Sequence, residues 1–190
     1  MKLLAVLTMF SFYSCNQLTN KEVVIKFNEA AMKGSLDEYS SYLDEDVVCI
    51  FKDINDSIYK KDIVSNHSFY QSYEPWNSIT SLIQPNDSTV EIQVLEYDKL
   101  QAIFELDTIA YLYRYNISNS LIMRIEMEGI LELQNEYQII DSIYNKNLSE
   151  LIDWIALHYP KEYDQLSSMD SNSSKTILEL AMTWKEENAR

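Results

Sequence analysis

The sequence contains little glycine, proline, cysteine or histidine. Among 190 residues there are two glycines, three prolines, two cysteines and two histidines. So few glycines and prolines allow few tight turns, so we expect long elements that are directly connected. Two cysteines do not make a disulfide framework. The histidines are distant from each other and no His, Cys or Asp spacing suits a zinc site, so we expect no metal and no cofactor.

Positive charge is also scarce. The chain has 15 Lys and Arg against 30 Asp and Glu, which gives a net charge of −15 at pH 7. So acidic a surface repels phosphate backbones and anionic lipid headgroups, which argues against nucleic acid as a partner. The plainest interpretation of the charge is a solubilising surface. Contents of 46% hydrophobic and 12% aromatic residues predict a globular domain.

The N-terminal segment has the pattern of a secretory signal. Lys2 precedes an apolar stretch over residues 3–12, which is too short to span a bilayer as a stable anchor. The small residue Ser14 then stands before Cys15, and this arrangement resembles a bacterial lipobox. The resemblance implies that acyl chains are attached to Cys15 and that residues 1–14 are cleaved. The alternatives are an ordinary signal peptide with an incidental cysteine, and a buried N-terminal helix.

Lipidation predicts a location in the cell envelope. Multiple acyl chains on Cys15 would anchor the domain stably to a membrane. The next residue is Asn16 and not the aspartate associated with inner-membrane retention, so we expect the outer membrane. No acidic residue stands between Cys15 and Glu22, which favours the leaflet that faces the periplasm.

Capping-box spacing predicts four helices, because a side-chain oxygen and a glutamate three residues later can satisfy the first helical N–H groups. Apolar residues at helical spacing follow each box. Gly34 lies between the first two helices, where a left-handed residue is favoured. Two further helices are predicted over 59–70 and 130–144. The four boxes are Thr19 with Glu22, Ser35 with Glu38, Asn147 with Glu150, and Thr176 with Glu179.

The middle of the chain has the alternation that is typical of strands. A short strand is predicted over 47–51. Segments 76–84 and 89–98 flank the turn sequence 85–87 and predict a hairpin, and 99–106 is either a short helix or an irregular crossover. Segments 108–117 and 121–128 flank 118–120 and predict a second hairpin.

The second hairpin has a clear division between its two faces. One face of its first strand carries Ile109, Tyr111, Tyr113, Tyr115 and Ile117. The matching face of its second strand carries Leu121, Met123, Ile125 and Met127. Arg114, Arg124 and Glu126 fall on the opposite face.

This order of elements predicts an α+β domain, in which N-terminal helices cover the inner face of a strongly curved antiparallel sheet. The order also resembles the nuclear transport factor 2-like superfamily, including its SnoaL-like polyketide cyclase branch. The resemblance is carried by the helical pair around 30–39, the strand 47–50 and the hairpin 112–122. It covers about 21–128 and leaves 129–190 as a C-terminal helical extension, with residues 15–20 as a tether.

The resemblance implies a cone with a pocket between the sheet and its helices. Enzymatic members place an Asp–His or Asp–Tyr pair there for proton transfer. The catalytic candidates are Asp107 and His67, although Asp107 is also explained as a strand-end cap or surface charge and His67 as a core histidine. We expect Trp76, Tyr111, Tyr113 and Tyr115 to line the pocket and bind a small amphiphilic ligand; the alternative for all four is structural packing.

Three functions follow from these expectations. The first is a lipid-anchored envelope protein without catalytic activity, whose pocket binds a small ligand or a partner. The second is an isomerase, cyclase or hydrolase that uses a pocket carboxylate and a tyrosine. The third is a structural homodimer that is formed through the open sheet face with Arg114 and Arg124. The lone Cys49, in an apolar run, is expected to be a small core residue.

Overall fold

The computed structural model describes residues 18–130, 134–166 and 171–188. Residues 1–14 and Cys15 lie outside the described residues. The described elements are α1 Asn20–Lys33, α2 Leu36–Ser41, β1 Leu43–Phe51, β2 Asp56–Tyr59, α3 Lys60–Gln71, β3 Trp76–Asn86, β4 Thr89–Tyr97, α4 Lys99–Ile103, β5 Ile109–Ser118, β6 Leu121–Gly129, α5 Gln134–His158, α6 Pro160–Leu166 and α7 Ser171–Asn188.

In the part of the chain that the structure describes, six strands form one curved sheet in the order β2-β1-β6-β5-β4-β3. The predicted α+β fold, with helices on the sheet and additional C-terminal helices, is confirmed. The sheet is mixed and not antiparallel throughout, because β1 and β6 pair in parallel. A parallel pair needs a long crossover, and the chain between β1 and β6 supplies one. Strand β2 was missed by the sequence analysis, and β1 begins at Leu43 instead of residue 47.

Helix α1 forms as its sequence predicts. The Thr19 side chain and Glu22 make a reciprocal capping box at its start. Gly34 ends the helix with φ 69° and ψ 20°, the left-handed conformation that glycine adopts without a steric cost. The apolar stripe Val23, Val24, Phe27 and Ala30 is buried and faces the sheet.

Three of the predicted helix starts need correction. Ser35 precedes α2, but its side chain makes no capping hydrogen bond. Asn147 lies inside α5, which is one helix of 25 residues where two were predicted. No glycine or proline interrupts this segment, so nothing ends the first helix. Thr176 also lies inside α7, and its hydroxyl donates to the Asn172 carbonyl at 3.0 Å.

Both hairpins differ from the prediction in detail. Pro85 lies within β3 instead of the turn, which the sheet tolerates because β3 is an edge strand. In the second hairpin, Asn119 and Ser120 form the turn with positive φ. Its register shifts beside Met123, so Ile122 is buried and Met123 is exposed. A β-bulge of this kind changes which residues face inward, and the predicted inward position of Met123 is wrong.

The buried side chains of the described residues form two cores. The first lies between the sheet and α1, α2 and α3. The second joins α3 and α4 to α5 and α7, through Phe69, Leu100, Phe104, Leu151, Ile155 and Ile177. The C-terminal helices therefore pack on the helical side of the sheet. None of the described helices has the length and apolar character that crossing a membrane requires.

Candidate functional site

A cavity of about 500 Å³ lies between the inner face of the sheet and helices α1, α3 and α5. This volume falls within the range of small-molecule sites in proteins. Aromatic and aliphatic side chains make up most of its wall. Tyr70 and Trp76 line it and are also about half exposed, which marks the side that opens to solvent.

The tyrosine row of β5 forms one wall of the cavity. Tyr111, Tyr113 and Tyr115 all line it, because alternate residues of a strand face the same side. The rings of Tyr113 and Tyr115 stack with centroids 6.1 Å apart. Burial holds the pKa of both hydroxyls well above the ordinary value, so both remain protonated. The structure thus places all four predicted ligand-binding residues, Trp76 included, at the cavity; binding by them stays a prediction.

Glu96, at the end of β4, places a carboxyl group in the cavity wall. The Tyr113 hydroxyl donates a hydrogen bond to Glu96 Oε1 at 2.8 Å. Burial raises the pKa of the Glu96 carboxyl to about 7, and the hydrogen bond from Tyr113 only partly opposes this. A carboxyl with such a pKa can both accept and donate a proton near neutral pH.

His67 lies on α3 and is 8% exposed. Its ring stacks on Tyr39 with centroids 4.0 Å apart. It lines the cavity, and its Nε2 atom has no hydrogen-bond partner among the described residues. Burial lowers the pKa of the imidazole, so it is neutral at neutral pH. This geometry brings His67 to the site but not into contact with a carboxylate.

Asp107 is placed apart from the other candidates. It is exposed in the connection between α4 and β5 and does not line the cavity. The described residues thus bring His67, Trp76 and the three tyrosines together, whereas Asp107 stays outside.

Several cavity residues were missed by the sequence analysis. Glu96 follows Ile92 and Val94 at alternate positions of β4, so an inward carboxylate was detectable as a break in an apolar stripe. Asp98 is also in the wall; its side chain caps α4 by accepting from Gln101 N at 2.7 Å. Burial raises the pKa of the Asp98 carboxyl despite that hydrogen bond.

Helix α5 supplies one further wall. Asp141, Tyr144 and Asn145 line the cavity, since residues three and four apart share one face of a helix. Tyr144 also packs against the second core. Nothing in the sequence pattern indicated that this helix would return to the sheet.

Cys49 also lies in the cavity wall and is buried. Burial raises the pKa of its thiol to about 11, so the thiol stays protonated and is a poor nucleophile. Among the described residues, no group of three or more His, Cys, Asp or Glu side chains is placed to hold a metal ion.

No family model and no curated protein matches this sequence. Several solved structures do match. A nuclear transport factor 2-like protein of unknown function from Cytophaga hutchinsonii is 11% identical, with a TM-score of 0.49 over 62% of this chain and 96% of that one. A protein of Shewanella putrefaciens, provisionally assigned as a SnoaL-like polyketide cyclase, is 10% identical, with a TM-score of 0.49 over 73% of this chain and 98% of that one.

A third structure, of a protein from Kribbella flavida, is 6% identical, with a TM-score of 0.50 over 65% of this chain and 97% of that one. The structural neighbours thus include nuclear transport factor 2-like and SnoaL-like proteins. At identities this low the likeness concerns the fold alone.

Proposed function

We propose that this protein binds a small, largely apolar molecule in the cavity between its sheet and its helices. The observation that carries the proposal is a cavity of about 500 Å³ whose largely apolar wall includes the hydrogen-bonded Glu96–Tyr113 pair among its polar groups. Small-molecule sites typically combine an apolar wall with a few polar groups that fix the orientation of the ligand. Attachment to the outer membrane through an acylated Cys15 is part of the same proposal, and would hold the cavity at the periplasmic surface.

Two methionines on β6 provide a matched test. Met127 lines the cavity, whereas Met123 is exposed at the bulge and does not line it. The neutral fluorescent probe N-phenyl-1-naphthylamine should bind the wild-type chain and Met123→Trp with equal affinity. Met127→Trp should fill part of the cavity and weaken binding about tenfold or more. Equal binding by all three proteins would show that the probe binds elsewhere and would contradict the proposal.

A second candidate function is proton transfer on a ligand, as in an isomerase. The observation that favours it is the Glu96 pKa of about 7, next to a tyrosine hydroxyl in a cavity. In this reaction the Glu96 carboxylate removes a proton from a carbon atom beside a carbonyl and returns it to another position. Conversion of a β,γ-unsaturated ketone into its conjugated α,β-isomer, measured by the growth of ultraviolet absorbance, should then be abolished by Glu96→Gln and unchanged by Asp107→Asn. Isomerisation at the uncatalysed rate with the wild-type chain would exclude this function for that ketone class.

A further inference from the structure

The cavity wall carries negative charge without a positive counterpart. Three carboxyl groups line it, those of Glu96, Asp98 and Asp141, and no lysine or arginine is among its described lining residues. The basic residues of the sheet are on its other face, where Arg114 pairs with Glu91 and Glu126. Carboxylates in a partly enclosed site attract a cation more strongly than they would in water. The cavity is therefore matched in charge to a positively charged ligand and repels an anionic one.

Aromatic rings surround the same carboxyl groups. Burial raises the pKa of the Tyr70 hydroxyl, and the charges of Asp98 and Glu96 raise it further. Burial also raises the pKa of the Tyr144 hydroxyl, and the charges of Asp98 and Asp141 add to that effect. Asp98 therefore lies near both tyrosines, with Glu96 near the first and Asp141 near the second. Tyrosine and tryptophan faces attract ammonium ions through cation–π interactions.

His67 provides an independent observation. It is a buried polar side chain in the cavity wall, and its Nε2 atom lacks a hydrogen-bond partner among the described residues. An unpartnered buried nitrogen is costly, so a ligand towards which the ring turned this nitrogen would be favoured by supplying the missing hydrogen bond. A neutral imidazole nitrogen can accept a hydrogen bond from an ammonium N–H.

We propose that the ligand of this cavity is an organic cation, a protonated amine on an apolar body. This inference rests on the proposed binding function and narrows it to one chemical class. The ammonium group would lie among Glu96, Asp98 and the surrounding rings. The apolar body would occupy the space along the tyrosine row and Ile125 of β6.

Three probes that share one alkyl chain test this inference. Decylamine, decanol and decanoate differ in the charge of the head group, and at about pH 8 the amine is cationic and the acid anionic. In calorimetric titrations of the full chain, decylamine should bind about tenfold or more tightly than decanol, because hydrogen bonds to charged groups are the stronger kind. Decanoate should bind most weakly. Met127→Trp should reduce the binding of decylamine and decanol alike.

Variants then locate the head group. Glu96→Gln and Asp98→Asn should each weaken decylamine binding about tenfold and leave decanol binding unchanged. Asparagine is also a good N-cap, so Asp98→Asn keeps the start of α4. The matched control is Asp107→Asn, which removes one exposed carboxylate outside the cavity and should have no effect.

Each contrary result has a distinct meaning. If decanol or decanoate binds as tightly as decylamine, and Met127→Trp weakens it, the preference for a cation is refuted and the binding function stands. Decylamine could bind most tightly and yet keep its affinity in Met127→Trp, Glu96→Gln and Asp98→Asn. It would then bind to the acidic surface and not in the cavity, and the inference would be refuted. If none of the three probes binds, both the inference and the proposed function lose their support.

Discussion

The Tyr113 hydroxyl and the Glu96 carboxyl form a hydrogen bond of 2.8 Å within the cavity. Two opposing effects meet at this pair. The hydrogen bond stabilises the ionised carboxylate, whereas burial destabilises it, and burial is the larger effect because the pKa rises from 4.5 to about 7. The pair therefore contributes both to the charge of the cavity and to the pH dependence of folding.

We expect Glu96→Gln to change the pH dependence of stability. Between about pH 4.5 and 7 the folded protein keeps a proton that the unfolded chain has lost, so this group lowers the stability of the wild type as the pH rises. The resulting cost above pH 7 is on the order of 3 kcal/mol. Glu96→Gln does not have this cost. The free energy of unfolding in urea of the variant, relative to that of the wild type, should therefore increase from pH 4 to pH 8. A difference in free energy of unfolding that does not change with pH would contradict this prediction. The control is Glu186→Gln, because Glu186 is exposed on α7.

We expect Tyr113→Phe to raise the pKa of Glu96 further, above about 7, because the hydroxyl that stabilises the carboxylate is lost. The variant should also lose about 1.5–3 kcal/mol of stability at alkaline pH, where Glu96 is charged. Carbon-13 NMR titration of the labelled carboxyl measures the first effect. Tyr115→Phe removes a neighbouring hydroxyl that does not donate to Glu96 and is the matched control. A Glu96 titration that is identical in both variants would refute the role of the Tyr113 hydroxyl.

We expect Gly34→Ala to destabilise the fold by about 1–2 kcal/mol. The φ of Gly34 is 69°, and an added Cβ would lie 2.8 Å from Gln71 Oε1. The Gln71 side chain has little room to move, because its Nε2 donates to the Ala31 carbonyl at 2.7 Å. A double-mutant cycle with Gln71→Ala separates the contact from the backbone strain. If thermal unfolding of Gly34→Ala matches that of the wild type, the left-handed cap is not needed.

We expect Ile155→Ala to cost about 2–5 kcal/mol, because the side chain is fully buried in the second core. Leu157→Ala, on the same helix, should change stability by no more than about 0.5 kcal/mol, since Leu157 is 76% exposed. Chemical unfolding followed by tryptophan fluorescence measures both. Equal effects of the two substitutions would show that the second core contributes no stability.

We expect Cys15→Ala to release the protein from the membrane without unfolding it. Acyl chains, and no described helix, would provide the attachment. Fractionation should move the domain from the membrane pellet to the soluble periplasmic fraction, with loss of a metabolic acyl label. Cys49→Ala should keep both label and location. A variant at Cys15 that stays in the pellet, with no label on the wild type, would refute the lipoprotein proposal.

Local patterns in the sequence predicted most of the fold. The capping box at Thr19, the left-handed Gly34 and the alternating tyrosines of β5 each depend on neighbours in the chain, so their conformations follow from local chemistry. Asn147 shows the limit of that approach. Its capping spacing is genuine, but the apolar stripe of α5 packs against other helices on both sides of it, and tertiary packing overrides a local start signal.

The candidate site was predicted in part for a similar reason. Trp76, the tyrosine row and His67 belong to elements with clear patterns, and the structure brings them to one cavity. Glu96 was overlooked because a single charged residue at a strand end is usually exposed. Asp141 and Tyr144 depend on where α5 docks, and no short-range pattern specifies the docking of a helix.

Helix α5 contributes both to the cavity and to the second core. Tyr144 lines the cavity, whereas Leu151 and Ile155 are buried in the second core. Sharp kinks in helices arise mainly at proline, at glycine or at bulges, and α5 contains neither proline nor glycine. We therefore expect that an outward movement of the cavity wall near Asp141 would also displace Leu151 and Ile155 from the second core. We expect a ligand to enter and leave the cavity beside Tyr70 and Trp76, whose side chains line it and are about half exposed.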